Sequence, residues 1–226
     1  MSSVTERDWH AWHDAYDDPA SGLSRRLGWV QERIRAALDS APPGPFRVIS
    51  ICAGQGRDLI GVLAGHPRGA DVTARLVELD PRNVEVARRL AAAANLAKIE
   101  IIEGDAALTS AYADLVPANL VLACGLFGNM TNDCIKRTIS YCPQLCASGG
   151  TVVWTRARWQ PDLVPQICAW FEERGFERVW ISSPDPGYRQ CAVAHRFTGT
   201  PAQLEPDATM FAFTDHDVQR GPRRTS

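Results

Sequence analysis

The chain reads as an α/β protein: a seven-stranded, mostly parallel sheet with helices on both faces, closing on an antiparallel hairpin. Three observations predict this. Short β-branched runs alternate repeatedly with segments of helical period. A glycine or acidic turn follows each of the first three runs. The last two runs are joined only by Pro184-Asp-Pro-Gly187, which is short enough for a hairpin, so at least one of them opposes the rest of the sheet.

The front of the chain is helical. Trp9, Trp12 and Tyr16 recur at three- and four-residue steps, and Leu23, Leu27, Val30, Ile34 and Leu38 resume the pattern after Asp18-Pro19. Two helices hinged at the proline are expected within 6–38. Ala41-Pro-Pro-Gly-Pro45 is a stiff exit. The expected organisation is one domain, with an N-terminal helical lid at 1–45, a core at 46–197 and a tail at 198–226.

Within the core the expected strands are Phe46–Cys52, Thr73–Leu79, Lys98–Glu103, Asn119–Cys124 and Thr151–Thr155, followed by the paired runs Glu177–Ser182 and Arg189–Phe197. The intervening helices are expected at Leu59–Leu63, Pro81–Ala94, Thr109–Leu115, Asn132–Cys146 and Asp162–Arg174. Strand, helix, strand repeated in this way specifies a parallel sheet covered on both sides. The tail is rich in Pro, Asp and Thr, with one aromatic patch at Met210–Phe213, and its basic end at 220–224 is expected to be disordered.

Composition narrows the function. At 226 residues, 45% hydrophobic and 22% charged, with 24 basic against 26 acidic residues, the chain has no excess of positive charge for a nucleic-acid partner. No apolar run reaches the roughly 18–20 residues of a membrane span, and residues 1–20 lack the basic and apolar parts of a signal peptide. The seven cysteines form no C-x-x-C pair and lie mostly in apolar segments, so free buried thiols and a cytoplasmic setting are expected. No ligand set with zinc spacing is present, and no metal site is expected.

Ligands of an open parallel sheet bind at the carboxyl ends of its strands. After the first strand stand Gly54 and Gly56, which either bring the backbone close to a ligand or simply make a turn. The second strand ends at Glu78, 24 residues beyond Gly54. A carboxylate there can accept both hydroxyls of a ribose, although acids at strand ends also cap helices. Asp80 before Pro81 fits the cap, which leaves Glu78 for the ligand. The third strand ends at Gly104-Asp105, with a carboxylate suited to an exocyclic amine. Together the three turns read as an adenosine pocket. Leu59 occupies the position where a dinucleotide fold needs a third small residue, and no phosphate-binding Gly-Lys-Ser/Thr run occurs.

On these residues the chain resembles the class I S-adenosylmethionine-dependent methyltransferases from about Phe46 to Phe197, and a Rossmann-like fold is implied. The front run Trp12-His-x-x-Tyr16 … Asp18-Pro19 … Leu23-Ser-Arg-Arg-Leu27 is similar to that of small actinobacterial methyltransferases of unassigned substrate. The resemblance implies S-adenosyl-L-methionine as cofactor, bound through Ala53, Gly54 and Gly56 at its methionine part. It implies Glu78 at the ribose, Asp105 at the adenine amine, Leu79 and Ala106 around the ring, and Cys124 and Gly125 at the amino-acid end. Two positions depart from the pattern: Ser50 stands where the family usually has an acid, and Cys52 where it usually has its first glycine.

The loop from Ala123 to Asn129 should border the methyl group. It contains neither an Asn/Asp-Pro-Pro-aromatic motif nor the acid of magnesium-dependent O-methyltransferases, which favours metal-independent transfer to a small or medium organic acceptor on O, N or C. The alternatives are RNA or protein methylation, or a member that binds the cofactor but catalyses rearrangement or cyclisation. Tyr16, His13 and Asn129 are the candidate catalytic residues. His13 is one of two N-terminal groups able to act as a base near neutral pH, and Asn129 alternatively caps the next helix. Arg25 and Arg26 either read an acidic group or lie on a solvated face. Assembly as a monomer or homodimer is expected.

Overall fold

The computed structural model describes residues 8–184 and 187–213. The front residues form a short helix α1 (Trp9–Trp12) that tightens into a 3-10 turn at His13–Tyr16, then helix α2 (Gly22–Ser40). Asp8 caps α1 by accepting from the N–H groups of His10 and Ala11, and Ser21 caps α2 by accepting from Ser24 N–H. The two expected helices are therefore present, the first shortened to about two turns.

The core follows as β1 (Phe46–Ile51), α3 (Leu59–Leu63), β2 (Val72–Glu78), α4 (Pro81–Ala93), β3 (Ile99–Glu103), β4 (Ala118–Ala123), α5 (Asn132–Leu145), β5 (Cys146–Ala157), α6 (Val164–Glu172), β6 (Phe176–Ile181) and β7 (Gln190–Phe197). The seven strands form one sheet in the order β3-β2-β1-β4-β5-β7-β6, parallel except for β7, which runs antiparallel to both its neighbours. This is a Rossmann-like fold of the expected class. Strand order reverses between β1 and β4, so the crevice for a ligand opens at their carboxyl ends.

Alternation along the strands builds two cores. On one face Val48, Leu76, Leu120 and Leu122 meet Val30, Ile34 and Leu38 of α2, Leu59 and Val62 of α3, and Ala87 of α4. On the other, Ile49, Val77, Val121 and Trp154 meet Ile135 and Ile139 of α5 and Ile167 and Phe171 of α6. The period of two in the strands and of about 3.6 in the helices is what lets each element bury one stripe on this sheet.

Two expectations change. The segment at Thr109–Leu115 is a 3-10 turn over Thr109–Tyr112 rather than a helix. β5 begins at Cys146, because Ser148-Gly-Gly150 lies within an irregular stretch of the strand instead of preceding it; the register with β4 shifts between Ala118 and Leu120. The tail through Phe213 docks on the core: Met210 N–H donates to Ala107 O, Thr109 N–H donates to Ala208 O, and Thr209 bridges Leu108. The basic stretch at 220–224 lies outside the described residues.

All seven cysteines are free. Cys142, Cys146, Cys168 and Cys191 are buried, whereas Cys52, Cys124 and Cys134 are half-buried. Burial pushes the Cys142 thiol up to about 12, the chemistry of an inert core thiol. Among the described residues no helix is long and apolar enough to cross a membrane.

Candidate active site

A cavity of about 1350 Å³ opens at the carboxyl ends of β1, β2, β3 and β4 and is roofed by the front residues from Asp8 to Tyr16. Its first wall is the turn after β1. Cys52 has φ 51° and Gly54 has φ 56°, so the chain passes twice through the left-handed region within three residues. A non-glycine residue there costs roughly 1–2 kcal/mol, and Cys52 carries that strain where a glycine would not. Ala53 and Gly54 line the cavity. Gly56 does not: a side chain on it would point at Ile60 and Leu76 in the core, so it serves the turn from behind.

Glu78, the last residue of β2, is held by two backbone donors. Gly54 N–H donates to Oε2 at 2.8 Å and Asp80 N–H donates to Oε1 at 3.0 Å. The carboxylate thereby ties the β1 and β2 turns together while still facing the cavity. Asp80 caps α4 as its position before Pro81 implies, accepting from Arg82 N–H. Leu79 is 70% exposed, an apolar wall of the same cavity. Asp105 accepts Ala107 N–H at 2.9 Å, and Ala106 lies beside it, buried.

The fourth turn supplies Cys124 and Gly125. Gly125 N–H donates to Thr155 Oγ1 at 2.8 Å, and Asn129 Nδ2 donates to Gly125 O at 2.8 Å. Asn129 is thus tied into the wall and is not the cap of α5; Thr131 is, accepting from Cys134 N–H. Burial raises the Cys124 thiol, with the charge of Asp58 adding to it.

The roof carries the other candidates. His13 is buried, with Nδ1 2.7 Å from Trp9 O. That carbonyl requires a proton on Nδ1, which leaves the Nε2 lone pair turned toward Gly54. Burial lowers the His13 pKa from 6.5, and the charges of Arg57 and Arg26 lower it further. Tyr16 accepts a hydrogen bond from Arg26, and burial raises its phenol above the usual range. Two ion pairs pin the roof to the core: Arg57 to Asp17 at 2.5 Å and Arg82 to Asp8 at 2.9 Å. His10 adds a contact of 3.1 Å to Asn83 on α4.

Several lining residues were not among the sequence candidates. Asp58 stands at the start of α3, Gln55 and Asn83 sit under the roof, and Thr209, Phe211 and Phe213 come from the tail. Arg26, read from sequence as either a ligand group or a solvated one, is 6% exposed and lines the cavity, whereas Arg25 packs over the Tyr188 ring at 3.9 Å. The aromatic patch of the tail was visible in sequence, but nothing local told where it would dock. Among the described residues no group of three or more His, Cys, Asp or Glu side chains could hold a metal ion.

Comparison with known proteins places this geometry. Residues 21–178 match a family model described as "Putative methyltransferase". No curated protein matches the chain. Among solved structures, the fold is similar to an O-methyltransferase family protein from Burkholderia thailandensis, at 18% identity and TM-score 0.63 over 84% of this chain and 59% of that one. It is similar to the CurJ carbon methyltransferase at 16% identity and TM-score 0.67, over 85% of this chain and 59% of that one. It is also similar to the magnesium protoporphyrin IX methyltransferase ChlM from Synechocystis PCC 6803 with bound SAH, at 13% identity and TM-score 0.61 over 82% and 92%. The chain spans 59% of the length of the first of these.

Proposed function

The chain belongs to the methyltransferase family whose model it matches over residues 21–178, and we propose that it moves a methyl group from S-adenosylmethionine to a small or medium organic acceptor without a metal ion. The observation that carries the reading is the meeting of Gly54, Glu78 and Asp105 on one cavity, with the Glu78 carboxylate oriented by backbone N–H groups. The residues fit the cofactor: Glu78 suits the ribose hydroxyls, Asp105 the adenine amine, and the exposed Leu79 one face of the ring.

When bound, S-adenosylmethionine supplies a methyl group on a positively charged sulfur with a neutral leaving group. The remaining work of the protein is to hold an acceptor in line and exclude water. The cavity of about 1350 Å³ exceeds the roughly 300–1,000 Å³ of a single small-molecule site, which supports a second ligand beside the cofactor. Trp9, Trp12, Phe211 and Phe213 line it and offer flat apolar walls for an organic acceptor.

His13 is the base for an acceptor that must lose a proton. It lines the cavity with Nε2 over Gly54, and its lowered pKa keeps it neutral at physiological pH. The front residues 8–17 act as a lid over both ligands, with the Trp9, Trp12 and Tyr16 rings beneath it. Tyr16 orients Arg26, and Asn129 shapes the loop after β4.

The test is calorimetric titration with S-adenosylmethionine and S-adenosylhomocysteine, followed by transfer of labelled methyl to a panel of small organic acceptors in the presence of a chelator. Binding and turnover by the native protein, both weakened in Glu78→Ala, are expected. Native protein without affinity for either compound overturns the reading.

A further inference from the structure

At the floor of the cavity two opposite charges stand near one another without pairing. Arg26 is almost fully buried, lines the cavity and donates to the Tyr16 hydroxyl. Its guanidinium nitrogens lie 3.9 and 4.0 Å from where a side chain on Gly125 would begin, at the carboxyl end of β4. Trp12 and Tyr16 flank it, their ring centres 5.3 and 5.8 Å from the guanidinium carbon. Among the described residues no carboxylate pairs with it. A guanidinium has five donors in a planar fork, and among the described residues its hydrogen bond goes to the Tyr16 hydroxyl.

Asp58 lines the same cavity, half-buried. Its side chain accepts only backbone N–H groups at the start of α3. Burial raises the Asp58 pKa above the usual carboxylate value, against the smaller opposing pull of its backbone N–H groups and of Arg26; the two side chains feel each other electrostatically but make no ion pair. Desolvated charges left apart are costly unless a ligand completes them. A fork beside Gly125 matches a carboxylate, and an acid at the helix start matches an ammonium.

We infer that Arg26 and Asp58 together form a receptor for the zwitterionic α-amino-acid end of the cofactor, Arg26 binding the carboxylate and Asp58 the ammonium. The inference rests on the proposed cofactor and supplies the acid that Ser50 does not, eight residues further along the chain. It also gives the buried Arg26 of α2 a ligand role, with Tyr16 as its positioning residue.

The experiment compares four probes by calorimetry: S-adenosylmethionine, S-adenosylhomocysteine, decarboxylated S-adenosylmethionine and 5′-methylthioadenosine, which has no amino-acid end. The native protein should bind S-adenosylmethionine on the order of 10- to 100-fold more tightly than its decarboxylated form. In Arg26→Gln that preference should vanish, and in Arg26→Lys it should partly return. Asp58→Asn, which keeps a capping oxygen, should weaken S-adenosylhomocysteine by a similar factor. All three variants should bind 5′-methylthioadenosine like the native protein, which also reports that they fold. Equal native affinity for the carboxylated and decarboxylated forms, or variants that lose 5′-methylthioadenosine in parallel, overturns the inference. So do variants that bind S-adenosylhomocysteine normally and raise only the acceptor KM. Native protein that binds none of the four probes overturns the cofactor assignment itself.

Discussion

His13 stands directly over Gly54: a side chain on Gly54 would run into Nε2 of the imidazole and lie 3.0 Å from its Cε1. The front residues and the first turn of the core therefore meet at a point that only glycine leaves open. Gly54 also has φ 56°, which other residues adopt at a cost.

Gly54→Ala should displace the lid. Its expected cost is about 1–2 kcal/mol of stability from the backbone alone, with a further loss of cofactor affinity from the imidazole pushed aside. The tryptophans of the lid, Trp9 and Trp12, provide the fluorescence signal for the displacement, and chemical denaturation gives the stability change. Unchanged emission with normal affinity would contradict the contact.

Glu78→Ala removes two backbone hydrogen bonds to a carboxylate, those from Gly54 and Asp80. Bonds to charged groups contribute roughly 1.5–3 kcal/mol, so loss of one such contact to the ribose predicts about 10- to 100-fold weaker binding of S-adenosylhomocysteine. Glu78→Gln should be impaired as well, because an amide NH2 would face one of the two N–H donors. Titration calorimetry on both variants checks this.

The base proposed at His13 would act only while neutral. Burial lowers its pKa from 6.5, so kcat/KM should be flat above pH 6.5 and fall as pH drops through a value below it. His13→Gln should cost on the order of 10²-fold or more in kcat and erase that acidic limb. A limb that persists in the variant belongs to another group.

His195 makes stability fall with acid. Its side chain is 0% exposed, packed beside the Trp154 and Phe171 rings, and Trp154 Nε1–H donates to its Nδ1 at 3.1 Å. Burial lowers its pKa to about 3. Below pH 6.5 the unfolded chain takes up a proton that the folded one refuses, so stability decreases as pH falls from 6.5 towards about 3. The slope from this one group is about 1.4 kcal/mol per pH unit; above 6.5 the group contributes no pH dependence. His195→Asn, which keeps an acceptor for Trp154, should flatten the melting temperature between pH 6.5 and 4.5 in scanning calorimetry.

What the sequence determined by itself were the features written in short-range pattern. Strand alternation and helical period fixed the α/β class. The Gly54, Glu78 and Asp105 turns were legible because each directly follows a strand whose register puts it at the sheet's carboxyl edge. The capping role of Asp80 was legible from Pro81 beside it.

Tertiary structure alone decided the rest. Whether Arg26 faces solvent or the cavity depends on how α2 rolls against β7 and α3, and its helical stripe leaves both readings open. Asp58 is one acid among 26, and only the fold brings it near Arg26. Phe211 and Phe213 reach the cavity because Met210 docks on Ala107, a contact across roughly a hundred residues. Periodicity records which face of an element is buried; it does not record which distant element covers that face, because non-local packing is settled by the summed burial of the whole core.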